Sequence, residues 1–144
     1  MLHSVQQKLF IQTLMGRGLI PVLAPLVYLM VKLLGFRVRQ LSHVRRSCRR
    51  YFDEHPGPWL ICANHLTMID SVILSYAILP FYRYVTDFQA LPWNVPERKN
   101  FQRNLFSSFL CYSLKCIPID RRGDRDQVRQ TLDTCMLLLN QGQR

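Results

Sequence analysis

A strand–turn–helix pattern over residues 59–79 constrains the fold of this chain more than any other sequence feature. Residues 59–63 form a short apolar run that follows Pro56, Gly57 and Pro58, as is typical of a buried strand that starts after a turn. Thr67 stands three residues before Asp70, which is the spacing of a capping box at the start of a helix. The apolar run at residues 71–79 then ends at Pro80, where we expect the helix to end.

His65 and Asp70 carry the chemistry in this pattern, because they lie at the end of the predicted strand and in the first turn of the predicted helix. A histidine held by a carboxylate is a common general base. The carboxylate fixes the tautomer of the ring and stabilises the imidazolium formed on protonation. The spacing alone leaves a second interpretation open, in which Asp70 only caps the helix and His65 is a turn residue.

The positive charge of the chain is concentrated in its first 52 residues. The formal net charge is +10, and the first acidic residue is Asp53. The nine basic residues before it are Lys8, Arg17, Lys32, Arg37, Arg39, Arg45, Arg46, Arg49 and Arg50. The ten basic residues after it face nine acidic ones, a net of +1. Such asymmetry predicts an anionic partner, either a membrane or a nucleic acid.

The apolar content of the same segment favours a membrane with anionic lipids and argues against a nucleic acid. Residues 18–31 are fourteen residues without a charge, and the sequence shows no recognisable nucleic-acid-binding module. A spanning helix needs about 20 apolar residues, and Pro21 and Pro25 interrupt this run. We therefore expect a membrane-associated helical hairpin that does not cross, broken near Gly16 and Gly18, with the six arginines of residues 37–50 at the headgroups.

The sequence divides into three predicted parts: a membrane-associated helical segment over residues 1–44, a basic linker over 45–57, and an α/β domain over 58–144. Within that domain, residues 81–88 are aromatic and β-branched and predict a second strand. Residues 97–114 predict a helix and residues 116–119 a third strand. A last helix starts near residue 124 and is closed by Gly142. Strands that alternate with helices are typical of an α/β sheet.

Two motifs make the chain resemble the glycerolipid acyltransferase family, which includes the lysophosphatidate and glycerol-3-phosphate acyltransferases. The first family motif is Asn-His-x-x-x-x-Asp, often with Ser or Thr two residues after the His. The matching residues here are Asn64, His65, Thr67 and Asp70. The second motif ends in Asp-Arg, and residues 117–121, Ile-Pro-Ile-Asp-Arg, are similar to one of its variants. The resemblance covers roughly residues 58–125.

The resemblance implies direct transfer of an acyl group from a thioester, on coenzyme A or an acyl carrier protein, to a hydroxyl of a glycerol phosphate or lysophospholipid. His65 would be the general base and Asp70 its partner. Asn64 and Thr67 would contact substrate, and Arg121 and Arg122 would bind the phosphate of the acceptor, for which a guanidinium is well suited. No metal or other cofactor is implied, and we expect the protein on the cytoplasmic face of a membrane.

The chain departs from the family at two places. Lys115 and Cys116 stand where glycines usually precede the second motif, and the third motif, Pro-Glu-Gly-Thr-Arg, is absent from the 144 residues. We therefore expect either an enzyme core truncated before its later strands or, as the alternative, a non-catalytic membrane-binding remnant or fragment. A histidine-based hydrolase is disfavoured because no Gly-x-Ser-x-Gly motif is present.

The five cysteines form no Cys-x-x-Cys pair and no metal-like cluster. An odd number of cysteines on a chain without an export signal predicts reduced thiols. Because a thiolate is already a good leaving group, the implied reaction needs no cysteine nucleophile.

Overall fold

The computed structural model describes residues 2–62, 69–101, 104–120 and 122–143. Within these ranges the chain is mostly helical and contains no regular β-strand. The helices are α1 (Leu2–Leu33), α2 (Leu41–Glu54), α3 (Asp70–Ile78), α4 (Phe81–Thr86), α5 (Arg98–Phe101), α6 (Leu105–Ser113) and α7 (Arg125–Asn140), with a 3₁₀ turn at Phe88–Ala90.

The expected N-terminal hairpin is wrong, because residues 2–33 form the single continuous helix α1. Gly16 and Gly18 do not break it. Pro21 and Pro25 lie inside it, where each removes one backbone hydrogen bond. The helix is followed by Gly35, whose φ of +76° is a conformation that glycine adopts readily. In the described part of the chain, α1 is the one helix long and apolar enough to cross a membrane, by length and composition, over Ser4–Leu33.

One face of α1 packs against the rest of the chain. Its buried residues recur mainly at intervals of four, which places them in one stripe along the helix. They are Gln12, Gly16, Ile20, Ala24 and Val31. The Tyr112 hydroxyl donates a hydrogen bond to the Lys8 carbonyl at 3.3 Å, and the Tyr28 ring lies 4.9 Å from that of Tyr76. These contacts are separated by roughly 30 Å along the helix axis.

The core lies where α1 meets α3, α4 and the 3₁₀ turn. Ile20 and Ala24 of α1 pack with side chains from these elements, which are Ile78, Leu79, Tyr84, Phe88, Ala90 and Leu91. The buried Tyr84 hydroxyl donates to the Ser75 carbonyl at 2.7 Å, and burial raises the pKa of this tyrosine. The polar end of Tyr84 is therefore satisfied by α3, while its ring fills the core.

The second predicted strand is wrong, because residues 81–86 form α4 and a 3₁₀ turn follows. Phe81 and Tyr84 are three residues apart in α4, which directs them to one side of that helix. Tyr84 and Phe88 are buried and Phe81 packs against the same core. Helical burial of three aromatic side chains thus outweighs the β propensity of the segment.

The other two predicted strands are only partly reflected in the structure. Residues 59–62, the described part of the first, form no regular strand. Residues 116–119 make two isolated parallel bridges, Asn94 with Cys116 and Glu97 with Ile119. Backbone amides of Ile117 and Ile119 donate to the carbonyls of Asn94 and Pro96 at 2.8 and 2.9 Å. Two short segments, 94–97 and 116–119, therefore run parallel, with α5 and α6 between them in sequence.

The predicted helix over residues 97–114 is interrupted between α5 and α6. Asn104 starts α6 as its N-cap, and its side chain accepts from the Ser107 amide at 2.7 Å in a capping box. The last predicted helix is confirmed as α7, and Gly142 closes it with φ +73°. The predicted linker at residues 45–57 lies largely within α2, whose Arg45 donates to the Tyr76 carbonyl at 2.7 Å. Arg45 thus joins α2 to the end of α3, whereas Arg49 and Arg50 point away from the core.

Candidate active-site cleft

A cleft of about 320 Å³ lies between five parts of the chain, and its size is within the range of small-molecule sites. Its lining is mostly apolar, with Ser71, Ser75, Asn94 and Gln143 as polar members. The remaining lining residues are Trp59, Leu60 and Ile61, Leu74, Pro92, Trp93 and Val95, Ile117, Cys135, Leu138 and Leu139.

The cleft adjoins the His65 motif along the chain on both sides. Residues 59–61 line it just before the motif, and Ser71, Leu74 and Ser75 line it just after. The latter three share one face of α3, because they are three and four residues apart. Trp59 is held by α2, its ring 5.1 Å from that of Tyr51 and 5.5 Å from that of Phe52. The motif is therefore preceded by a segment that packs against α2 through Trp59 and is followed by helix α3.

Another wall of the cleft is the loop at residues 92–95, which is held by hydrogen bonds from Trp93 and Asn94. The Trp93 indole N–H donates to Oε1 of Gln143 at 3.5 Å, just beyond α7. The Asn94 amide donates to the Lys115 carbonyl at 2.9 Å. Because the bridges that begin at Asn94 pair this loop with residues 116–119, the second family motif supports the wall of the cleft.

Lys115 supports this wall from beneath. It is only 1% exposed, and its Nζ donates to the Leu91 carbonyl at 3.0 Å. The same nitrogen lies 4.8 Å from the centre of the Phe88 ring and 5.5 Å from that of Trp93, as in cation–π contacts. Burial lowers the pKa of Lys115 to about 8, against an opposing effect of Asp87.

Four of the six predicted site residues, Asn64, His65, Thr67 and Arg121, lie outside the described residues. The other two are described, in different settings. Asp70 is the first residue of α3 and is half-buried, a position where a carboxylate is favourable beside the helix N-terminus. The N-cap of α3 is Ile69, so the capping box expected from Thr67 is not the start of this helix.

Arg122 is exposed in a turn after the second motif. Its backbone amide donates to Oδ1 of Asp120 at 3.2 Å, and the Gly123 amide donates to the Asp120 carbonyl at 3.0 Å. A Cβ on Gly123 would lie 3.1 Å from this carbonyl oxygen, so a side chain there would require the turn to shift by a few tenths of an ångström. By accepting these two hydrogen bonds, Asp120 stabilises the turn that follows the second motif.

The cysteines are free thiols, and Cys135 is the one among them that lines the cleft. Burial raises the pKa of the Cys135 thiol, which keeps it protonated and makes it a weak nucleophile. Cys111 is buried, and its hydrogen bond with Cys116 lowers the pKa of the Cys111 thiol. Among the described residues, no cluster of three or more His, Cys, Asp or Glu could hold a metal ion.

Sequence reasoning missed the residues that shape the cleft. In the sequence, Lys115 stands out only as a departure from a glycine-rich motif, and lysine is among the residues least often buried. Trp93 and Gln143 are fifty positions apart in sequence, and no local pattern relates them.

Comparison with known proteins identifies the family of the chain. The protein-family model described as Acyltransferase matches residues 35–144, a range that contains both sequence motifs and every residue that lines the cleft. No curated protein and no solved structure matches the chain. Since the family match covers well over half of its length, the chain belongs to the acyltransferase family.

Proposed function

We propose that this acyltransferase transfers an acyl group from an acyl thioester to a hydroxyl of a glycerol-phosphate or lysophospholipid acceptor. The observation that carries the proposal is the cleft, because residues on both sides of the Asn-His-x-x-x-x-Asp motif line it in a chain of this family. Its mostly apolar lining suits a substrate that carries a hydrocarbon chain. The donor would be acyl-CoA or an acylated carrier protein.

In this mechanism, neutral His65 removes the proton from the acceptor hydroxyl as the oxygen attacks the thioester carbonyl. The C–O bond forms, the C–S bond breaks, and the leaving thiolate takes the proton from the imidazolium. Asp70 holds the ring of His65 and stabilises its charged form. The position of Asp70 at the start of α3 supports this role, because a helix N-terminus favours the ionised carboxylate that the mechanism requires. Asn64 and Thr67 would contact the reacting groups.

The phosphate of the acceptor would be bound by Arg121, with Arg122 beside it. The support is the turn built by Asp120 and Gly123, which leaves Arg122 exposed three residues after the bridged segment 116–119. A guanidinium binds phosphate through two parallel hydrogen bonds.

We further propose that the parallel segments 94–97 and 116–119 belong to the α/β sheet of the transferase domain. In functional terms, residues 1–44 would attach the protein to a membrane and residues 58–144 would carry the transferase site, with residues 45–57 between them. The basic excess in residues 1–52 supports attachment to the anionic cytoplasmic face.

α1 would attach along the membrane without crossing it. It is long enough to cross, yet contacts with α3, α4 and α6 run from Lys8 to Tyr28, roughly the thickness of the hydrocarbon core. A crossing would carry those helices, with Arg83 of α4, into the bilayer. The outward face of α1 includes Phe10, Leu14 and Val22, each more than half exposed, and would lie among the lipids.

Substrate kinetics test the phosphate-binding assignment. We expect Arg121→Ala to raise the KM for a lysophosphatidate acceptor roughly tenfold or more, because charge-assisted hydrogen bonds contribute about 1.5–3 kcal/mol. The KM for acyl-CoA should stay within about twofold. Arg122→Ala is the matched control, with the smaller expected effect. An Arg121→Ala change confined to the donor KM would contradict the assignment.

A further inference from the structure

The first turns of α6 expose three large apolar side chains on one side of the helix. Leu105 is 91% exposed, Phe106 70% and Phe109 43%. Phe109 lies four residues after Leu105 and three after Phe106, so all three side chains lie on the same side of the helix. We name these residues the α6 patch. The opposite end of α6 is buried, since Cys111 and Ser113 lie inside the protein, so the helix projects from the body by its N-terminal end.

The surroundings of the α6 patch are basic. From Arg98 to Ile119 the sequence contains no acidic residue, and Arg98, Lys99 and Arg103 precede the patch. Arg98 and Lys99 lie on α5, which contacts α6. Large apolar side chains beside cations, without interspersed carboxylates, match the composition of surfaces that bind anionic bilayers.

The α6 patch is close to the apolar outer face of α1. Tyr112 of α6 bonds to Lys8 of α1, and Gln12 donates to the Tyr112 carbonyl at 3.0 Å. Leu105 lies seven residues before Tyr112, roughly 10 Å along the axis of α6. The exposed Phe10 and Leu14 are within two turns of Lys8 on α1. The two apolar surfaces are therefore joined by direct helix contacts.

We propose that the α6 patch is a second membrane-contact site, which inserts Leu105, Phe106 and Phe109 at the acyl-chain boundary of an anionic bilayer. The flanking cations bind the headgroups. Two separate contacts, through α1 and α6, fix how the body is tilted on the membrane, and so how the cleft meets a lipid acceptor. This last consequence rests on the proposed function, whereas the contact itself is measured without any acyl donor.

Tryptophan quenching by brominated lipids tests the contact directly. Phe106→Trp keeps an aromatic side chain at an exposed position, and the unmodified chain, with Trp59 and Trp93, supplies the background. On vesicles that contain phosphatidylserine and lipids brominated on their acyl chains, we expect the added emission to shift to the blue and to be quenched. Met136→Trp on α7 is the matched control, because Met136 is 57% exposed and its helix carries two Asp and two Arg. Its emission should stay unquenched.

Partition measurements give a second, independent readout. Leu105→Asp with Phe106→Asp should weaken binding of the full chain to these vesicles roughly tenfold or more, since burial of one such side chain is equivalent to at least that factor. Leu132→Asp with Met136→Asp on α7 should leave binding within about twofold.

Three results would overturn the proposal. The first is unquenched emission from the tryptophan added in Phe106→Trp, on vesicles that have bound the chain. The second is a blue shift of that added emission before vesicles are present, because protein would then already cover the patch. The third is self-association in solution that Leu105→Asp abolishes, because the patch would then contact a second copy of the chain. None of these measurements depends on acyl transfer. A chain that transfers no acyl group in a separate assay would therefore still give the same quenching and binding results.

Discussion

At the scale of single residues, Lys115 gives the structure a specific pH dependence. Its ammonium group is buried at a cost, and its pKa is lowered to about 8 by that burial. Between this value and the ordinary pKa of lysine, the unfolded chain binds a proton that the folded chain does not. The free energy of unfolding should therefore rise with pH through this window, with a slope of up to about 1.4 kcal/mol per pH unit.

The Lys115→Met variant isolates this effect, because methionine retains an unbranched side chain but cannot titrate. We expect the stability of the natural chain, measured relative to this variant by chemical unfolding, to increase from about pH 8 to about pH 10. Below that range the difference between the two should be constant. If the difference in unfolding free energy between the two proteins is flat or falls across the same pH range, the pKa of Lys115 is not lowered by burial.

The sequence predicts the family of the chain better than it predicts the surroundings of the candidate site residues. The Asn64–Asp70 and Ile-Pro-Ile-Asp-Arg motifs are local strings, and the family match bears out the acyltransferase resemblance they carry. The wall of the cleft depends instead on Lys115 reaching Leu91 and on Trp93 reaching Gln143. Such pairs form only when distant segments meet, so no local pattern contains them.

At the scale of elements, the close approach of α1 to α6 depends on Gly16. A Cβ at this position would lie 2.5 Å from the ring of Phe88 and 2.6 Å from the Ser113 carbonyl oxygen. Gly16→Ala should therefore lower the free energy of unfolding by about 1–3 kcal/mol through overpacking. Thermal unfolding in detergent micelles, followed by circular dichroism, measures this loss.

Gly18→Ala is the matched control, because it lies on the same helix with no atom within 4 Å of the added Cβ. It should raise stability by about 0.5–1 kcal/mol, since alanine loses less backbone entropy in a helix than glycine. If Gly16→Ala stabilised the protein as much as Gly18→Ala, the tight contact between α1, Phe88 and Ser113 would not exist.

The helices with clear boundary residues are those that the sequence predicts. Pro80 follows α3 and Gly142 follows α7, and both are local signals that do not depend on the rest of the fold. The predicted hairpin at Gly16 and the predicted strand at residues 81–88 are wrong, because packing decides both. Gly16 serves a close contact between helices, and the aromatic residues of α4 fill a core shared with α1.

At the scale of the whole molecule, the contacts of α1 with the body lead us to expect that both ends of the chain lie on one side of a membrane. Tags attached at Met1 and at Arg144 should be equally accessible to protease on the outside of sealed vesicles to which the protein has been added. The protein should also remain bound in about 1 M salt, because at this ionic strength charges are screened beyond about 3 Å while apolar burial persists. A protected Met1 tag would show that α1 crosses the bilayer.

Because Ile20 and Ala24 belong to the core, attachment is best measured on the full chain. A deletion of residues 1–44 would remove core side chains together with the apolar face. Loss of membrane binding by that deletion would therefore not separate attachment from folding.

The central claim is that His65 acts as the general base of acyl transfer, and its direct test is the transfer rate of the His65→Ala variant. Transfer of labelled acyl groups from acyl-CoA to lysophosphatidate is measured with equal amounts of vesicle-bound protein. Cys135→Ala is the control, because this thiol lines the cleft but has no role in the mechanism. We predict that Cys135→Ala keeps its rate within about twofold, while His65→Ala loses roughly 10²–10⁴. Transfer by His65→Ala at more than about a tenth of the natural rate, or no transfer by the natural chain while bound to the vesicles, would contradict this account.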